Sequence, residues 1–321
     1  MTLLRNTNGY PRPFLKWAGG KTQLLQQFEG YYPPKPSVER YIEPFLGSGA
    51  VFFHVRRLLQ PRAVMLADSN EELINVYQSI QSEVEDVIGH LRLHKRFHCK
   101  EYYYRTREKN AHRLSSAARA ARFIYLNKTC FNGLYRVNSN GQFNVPLGDY
   151  QNPKIVDEDN LRAASLALRK VEFKAVHFRR TLKYAQPGDF IYFDPPYDPL
   201  SSTSSFTSYT RSSFSESDQR ELAIVYQELD RMGCRVMLSN SATPLVGKLY
   251  DQFKLFPVAA RRSINSRADR RGPVQEVVVL NYKPLGLRPN EQPQKVATTK
   301  TRRRVAGGAR RNRSRPERSL L

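Results

Sequence analysis

Three short apolar runs, each ending in a turn suited to hold a ligand, constrain this chain more than any other feature. Tyr41-Ile42-Glu43-Pro44-Phe45 reads as a strand entering a glycine turn. Val64-Met65-Leu66-Ala67-Asp68 ends in an acid, and Phe190-Ile191-Tyr192-Phe193 runs into Asp194-Pro195-Pro196-Tyr197. Between them the period changes. From Asn70 to about Ile88, Leu73, Ile74, Tyr77 and Ile80 fall on one helical face, with candidate caps at Asp68 to Asn70. Residues 216–232 also read as a helix, and Val171–Phe178, Arg235–Ser239 and Val274–Tyr282 as strands. Strands alternating with helices predict an α/β fold, a Rossmann-like sheet with helices on both faces. Open sheets of this kind bind ligands beyond the carboxyl ends of their strands, where all three turns would lie.

The stretch 84–126 is helical in pattern and rich in Arg, Lys, His and Tyr; 127–150 changes character, with hairpin-turn signals at Asn132-Gly133 and Asn140-Gly141. The expected organisation is a catalytic domain over 1–83 and 151–284, an inserted helical and β-hairpin lobe over 84–150, and a tail over 285–321. Residues 288–321 carry 11 basic side chains against Glu291 and Glu317 without apolar periodicity, so the tail is expected to be disordered. Either added phosphate binding or plain solubility suits it. Residues 201–217 are Ser/Thr-rich and read as a loop.

Lys and Arg number 52 against 29 Asp and Glu, a formal charge of +23. Such a field favours polyanions, nucleic acid above all, and makes that binding salt-dependent. No apolar run is long enough to span a bilayer, and Met1–Pro13 lacks an apolar signal-type stretch, so a cytosolic, nucleoid-associated protein without membrane contact is expected. Cys99, Cys130 and Cys234 lie far apart and suggest free thiols rather than disulfides or zinc. His90, His94 and His98 share a helical face beside Cys99, but Arg92, Lys95, Arg96 and Lys100 around them disfavour a cation; a surface or DNA-facing stripe is expected.

The turns carry chemistry. Small residues in Glu43-Pro44-Phe45-Leu46-Gly47-Ser48-Gly49 let a ligand approach the backbone, and Asp68, 19 residues past Gly49, can hold ribose hydroxyls. Phe52 replaces the third glycine of a dinucleotide fingerprint, which favours a nucleoside without phosphates, such as S-adenosylmethionine. Gly20-Lys21-Thr22 mimics the end of a P-loop, but Leu15 stands where that loop needs glycine, so ATP hydrolysis is rejected. At Asp194-Pro195-Pro196-Tyr197, a carboxylate and a carbonyl can accept both hydrogens of an exocyclic amine and aim its lone pair. The two prolines stiffen the turn, and Tyr197 can stack on a base. Alone, the same residues could be a Pro-Pro turn with Asp194 as a helix cap.

Taken in order, Phe14-Leu15-Lys16-Trp17-Ala18-Gly19-Gly20-Lys21, Glu43 to Gly49, Ala67-Asp68-Ser69-Asn70, Tyr125-Leu126-Asn127, Phe131 to Asn138, Phe143-Asn144-Val145-Pro146 and Asp194 to Tyr197 closely resemble the Dam family of DNA adenine-N6 methyltransferases, from about Phe14 to Tyr282. The resemblance implies a site-specific, alpha-type enzyme on the methyltransferase version of the Rossmann-like fold. It would move a methyl group from S-adenosylmethionine, leaving S-adenosylhomocysteine, to N6 of an adenine flipped out of double-stranded DNA, without a metal. Trp17, Lys21, Phe45, Gly47, Asp68 and Asp194 would bind the cofactor, Lys21 facing its carboxylate. Asp194, Pro195, Pro196 and Tyr197 would be catalytic.

Phe131, Asn132, Leu134, Arg136, Asn138, Pro146 and Tyr150 would recognise DNA, Arg136 by contacting a guanine, Leu134 and Pro146 a thymine methyl, and Phe131 by wedging into the opened stack. The implied site is GATC, read by one copy at a time with no obligate partner protein. The 198–214 loop would close over substrate, and Arg261, Arg262, Ser263 and Asn265 would touch DNA. Glu43 stands where many members have Asp, and the tail is longer than usual for the family. An RNA adenine methyltransferase tends to have Asn, and a cytosine-N4 enzyme often Ser, in place of Asp194. A non-catalytic DNA-binding relative would be expected to have lost one of Trp17, Lys21, Asp68 or Asp194.

Overall fold

The computed structural model describes residues 9–198, 214–261, 273–284, 286 and 292–293. Its strands are β1 (Arg40–Glu43), β2 (Ala63–Asp68), β3 (Val171–Ala175), β4 (Phe190–Phe193), β5 (Arg235–Ser241), β6 (Lys254–Arg261) and β7 (Pro273–Leu280), in the order β3-β2-β1-β4-β5-β7-β6. The first five are parallel; β7 runs antiparallel between β5 and β6. The helices are α1 (Leu25–Phe28), α2 (Ala50–Leu58), α3 (Glu71–Ser82), α4 (Val84–Arg96), α5 (Lys100–Glu108), α6 (Ser116–Thr129), α7 (Glu158–Ala167), α8 (Thr181–Tyr184), α9 (Glu216–Arg231) and α10 (Pro244–Leu249).

The sheet is covered on both faces, which explains the unbroken apolar runs. Along β4, Phe190 and Tyr192 join one apolar cluster while Ile191 and Phe193 join the other. The first cluster includes residues of α2, α3, α4 and α6, the second residues of α9 and α10. Strand β6 was not visible in the sequence. It carries Pro257, which breaks a strand pattern, and lies at the sheet edge, where proline is tolerated.

The helix expected over 70–88 is interrupted. Glu83, at φ −134°, ψ 36°, separates α3 from α4. Of the candidate caps, Asn70 caps α3 by accepting from Leu73 N at 3.2 Å. Helix α6 packs on both α3 and α4, so this part of the 84–150 segment shares the apolar cluster of the sheet-covering helices. Beyond α6 the chain makes a sparse hairpin: Val137 bridges Phe143, and Asn144 N bonds Arg136 O at 3.0 Å. Asn140-Gly141 sits at its tip. Asn132-Gly133 does not make a hairpin turn; it lies in a 3-10 turn after α6, both residues at positive φ.

The histidine stripe is also corrected. His94 is buried, stacked on Tyr125 with ring centroids 4.7 Å apart and bonded to the Tyr102 hydroxyl, and burial pushes its pKa down to about 4. His98 bonds the Tyr125 hydroxyl at 2.9 Å. Helical spacing shows a shared face, not whether another helix covers it.

Gly49 caps the start of α2 at φ +67°, and a Cβ there would lie 2.9 Å from the Tyr77 hydroxyl oxygen, which bonds Gly47 O. Gly49→Ala should lower stability by about 1–3 kcal/mol and Tyr77→Phe by about 0.5–1.5 kcal/mol. The double variant should lose less than the sum, because removing the hydroxyl relieves the clash. Urea unfolding of the four proteins checks this; strict additivity would show that the strain lies in the backbone alone.

Candidate active site

The strand order reverses direction between β1 and β4, which opens a crevice at their carboxyl ends. The 45–49 turn follows β1, Asp68 ends β2, and Asp194 to Tyr197 follow β4. The segment Phe14 to Lys21 crosses this edge. Trp17 lies against Gly47: a Cβ on that glycine, at φ +48°, would stand 3.0 Å from the indole. The other side of the arrangement is aromatic, with Trp17 stacked on Tyr135 at 5.8 Å and on Phe123 at 6.3 Å. Asp68 accepts from Gly47 N at 3.2 Å and Asn70 N at 3.0 Å, tying the ends of β1 and β2 together. Phe45 packs among Phe178, Phe193 and Phe214.

Lys21 is 5% exposed and places its ammonium 2.8 Å from Asp194 Oδ1, 2.6 Å from Gly19 O and 4.4 Å from the centre of the Tyr197 ring. Ser239 of β5 donates to the same Oδ1 at 3.0 Å. Burial raises the Asp194 pKa above its ordinary value, and Lys21 and Ser239 hold it down. Burial likewise raises Glu43, against the bond from Tyr41 at 2.6 Å and helped by the charges of Asp194 and Asp68. Asp68 is raised by burial against its backbone amides, and Glu276 of β7 by burial against its bond from the Tyr197 hydroxyl at 2.7 Å. Glu43, Asp68, Asp194 and Glu276 thus lie at this edge of the sheet, and the Lys21 ammonium acts on Asp194 and Glu276. That field suits a cationic ligand and hydrogen-bond donors, not phosphates. Among the described residues, no three His, Cys, Asp or Glu side chains gather as a metal set.

The sequence singled out neither Ser239, Asn240, Ser241, Gln219 nor Glu276. A signal existed: Ser239-Asn240-Ser241 follows three apolar residues, and β5 was expected to stop where the polar residues begin. The strand continues through all three, and they are buried.

The residues expected to read DNA lie together around the hairpin. Phe131, Asn132, Leu134 and Pro146 are exposed, Phe131 by 50%. Arg136 Nε donates to Asn144 Oδ1 at 2.7 Å, which aims the guanidinium across the hairpin. Asn138 serves the turn itself: its Oδ1 accepts from Asn140 N and Gln142 N, both at 3.0 Å. The Tyr150 ring lies under Lys16 Nζ, 3.7 Å away. Residues 199–213 of the expected closing loop, Arg262, Ser263 and Asn265, the Arg261 side chain and nearly all of the tail fall outside the described residues.

A family model described as D12 class N6 adenine-specific DNA methyltransferase matches residues 17–264. The Type II methyltransferase M.MjaIII of Methanocaldococcus jannaschii is 44% identical over 286 residues, covering 84% of this chain and 99% of the relative. The DNA adenine methylase of Serratia marcescens is 36% identical over 272 residues, 84% of this chain and 98% of its own. That of Escherichia coli is 35% identical over 275 residues, 85% and 96%.

Removing one member of a buried ion pair strands the other. Lys21→Met should destabilise the protein by about 3–5 kcal/mol at neutral pH, and Lys21→Met/Asp194→Asn should recover much of it. The Lys21→Met loss is full above the raised pKa of Asp194 and fades as pH falls towards the ordinary carboxylate value, because the folded state then holds Asp194 neutral. Urea melts at two pH values measure it. A pH-independent loss would show that packing, not charge, is what Lys21 supplies.

Proposed function

The chain belongs to the D12 class N6 adenine-specific DNA methyltransferase family, and on that premise we propose that it methylates N6 of a flipped-out adenine in double-stranded DNA, within GATC, with S-adenosylmethionine as the donor. The observation that carries this reading is the Lys21–Asp194 pair at the mouth of an acid-lined crevice. Residues 84–150 act as the target-recognition insert, and one copy reads the palindrome at a time. Among the described residues no helix is long and apolar enough to cross a membrane.

The crevice fits the donor molecule. Gly47, which has no side chain to clash with the Trp17 indole packed against it, would let the cofactor approach the backbone of the turn. Asp68, though bonded to two amides, has lone pairs left for ribose hydroxyls. S-adenosylmethionine, when bound, supplies an activated methyl group on a cationic sulfur, which the surrounding carboxylates favour.

The chain's own residues prepare the amine. Lys21 and Ser239 both engage Asp194 Oδ1, which leaves Oδ2 for one amine hydrogen. Gln219 Nε2 donates to Pro196 O at 3.0 Å, and Pro195 O, the carbonyl next to Asp194 in the turn, would accept the other. With both hydrogens held, the nitrogen lone pair would point at the methyl group; the N–C bond would form as the C–S bond breaks, releasing S-adenosylhomocysteine, and the proton then lost from the nitrogen would pass to Asp194 Oδ2 or to water. Tyr197, fixed by Glu276 and by the Lys21 ammonium, stacks on the base. Phe131, exposed on the insert, fills the gap the base leaves.

Unmethylated plasmid incubated with labelled S-adenosylmethionine should gain label on adenine and resist nucleases blocked by methylated GATC. Asp194→Ala should lose methylation yet keep most DNA affinity, because phosphate contacts supply it; normal turnover would refute the mechanism. Label on RNA alone would move the substrate to RNA, and cofactor binding without turnover would favour a non-catalytic DNA-binding role. Arg136→Ala should lose about 1–3 kcal/mol of discrimination at one base pair, read from rates on single-substitution sites; unchanged preference would remove Arg136 as the reader.

A further inference from the structure

Gln219 and Asn240 form a buried amide relay behind the Asp194 to Asp198 turn. Gln219, on α9, is 1% exposed, and Asn240, on β5, is fully buried. Gln219 Nε2 donates to Pro196 O at 3.0 Å, and its Oε1 accepts from Asn240 Nδ2 at 2.9 Å. Asn240 Oδ1 accepts from Asp198 N at 3.2 Å and Ser241 N at 2.8 Å, while Ser241 Oγ donates to Asp198 O at 2.5 Å. Each bond fixes the next. With Asn240 Oδ1 facing two amides, its Nδ2 must face Gln219, so Gln219 must aim its own Nε2 at the turn.

The reason such a device is needed lies in the prolines. Pro195 and Pro196 have no N–H, so the turn cannot brace itself with backbone donors there. Bracing has to come from outside. The relay also sits beside an apolar cluster, where Leu222, Val225, Tyr226 and Leu238 pack. Two buried amides are expensive there unless every partner is present, and apolar side chains would fill the volume more simply. What the amides supply is orientation: the Pro196 carbonyl is held to Gln219, which fixes the peptide planes on either side of it, including the Pro195 carbonyl.

We infer that Gln219 and Asn240 are positioning residues for methyl transfer, holding the prolyl turn so that the Pro195 carbonyl and Asp194 together meet the two hydrogens of the target amine. This rests on the reaction proposed above. Neither residue touches substrate; they act through the turn.

The test compares single-turnover rates, each normalised to the number of cofactor-binding sites, so that misfolded protein does not count. Gln219→Met keeps length and loses the donor at every pH. Its rate per site should fall about 10–100-fold, with KM for DNA and Kd for S-adenosylmethionine within about threefold of the original. Gln219→Glu can donate to Pro196 O only through a protonated carboxyl. It should approach the unmodified enzyme at pH 6 and slow towards the Gln219→Met rate at pH 9. Should Gln219→Met not fold, Asn240→Leu, which removes the donor that orients Gln219, is read the same way. If the unmodified enzyme transfers no methyl group, the underlying reaction fails and this role with it. If it is active and Gln219→Met stays within threefold per site, or Gln219→Glu is as slow at pH 6 as at pH 9, the positioning role alone is overturned.

Discussion

An ammonium buried to 5% exposure needs a carboxylate, and Lys21 finds Asp194 at 2.8 Å. That requirement organises the molecule. Lys21 belongs to the segment before the first strand, and Asp194 immediately follows the fourth. Joining them draws the N-terminal segment across the carboxyl edge of the sheet. Trp17 then comes to rest on Gly47, and the Lys21 ammonium over Tyr197. The same pair bears on the electrostatics: Lys21 holds the Asp194 pKa down against burial, and its charge also acts on Glu276. The surface field can gather a polyanion while the crevice stays suited to a cation and to amine donors.

The second coupling runs from this segment to the insert. Asn127, buried on α6, donates to Lys16 O and Gly133 O and accepts from Lys16 N. A Cβ on Gly133 would strike Lys16 at 2.5 Å. One amide therefore fixes both the strip leading to Trp17 and Lys21 and the turn carrying Phe131 and Asn132. The Trp17, Tyr135 and Phe123 stack joins the same two parts through apolar contact. Because these residues are shared, the surface that would read a sequence and the crevice that would hold a cofactor are parts of one body.

Much of this was legible in the chain. Strands buried on both faces must be apolar throughout, so β1, β2 and β4 show as runs, and ligand-holding turns must carry small or charged residues at their ends. The Gly turn, Asp68 and Asp194 stand out on those grounds and the hairpin on its Asn140-Gly141 turn, while the family's motifs pointed to Trp17, Lys21 and the DNA-reading roles on the hairpin. Strand β6 was hidden because an edge position tolerates Pro257, a residue that otherwise argues against a strand. The histidine stripe was misread because periodicity fixes a face but not its neighbour, and α6 supplies Tyr125 to cover His94.

What the sequence determined by itself is the alternation of elements and the chemistry at strand ends, because those depend on local period and residue type. The tertiary structure decided the pairings. Lys21 with Asp194, Tyr197 with Glu276 and Gln219 with Asn240 lie 173, 79 and 21 positions apart. No local pattern encodes them. They follow from the strand order that sets β4 beside β5, and from the desolvation that forces each buried polar group to find a partner.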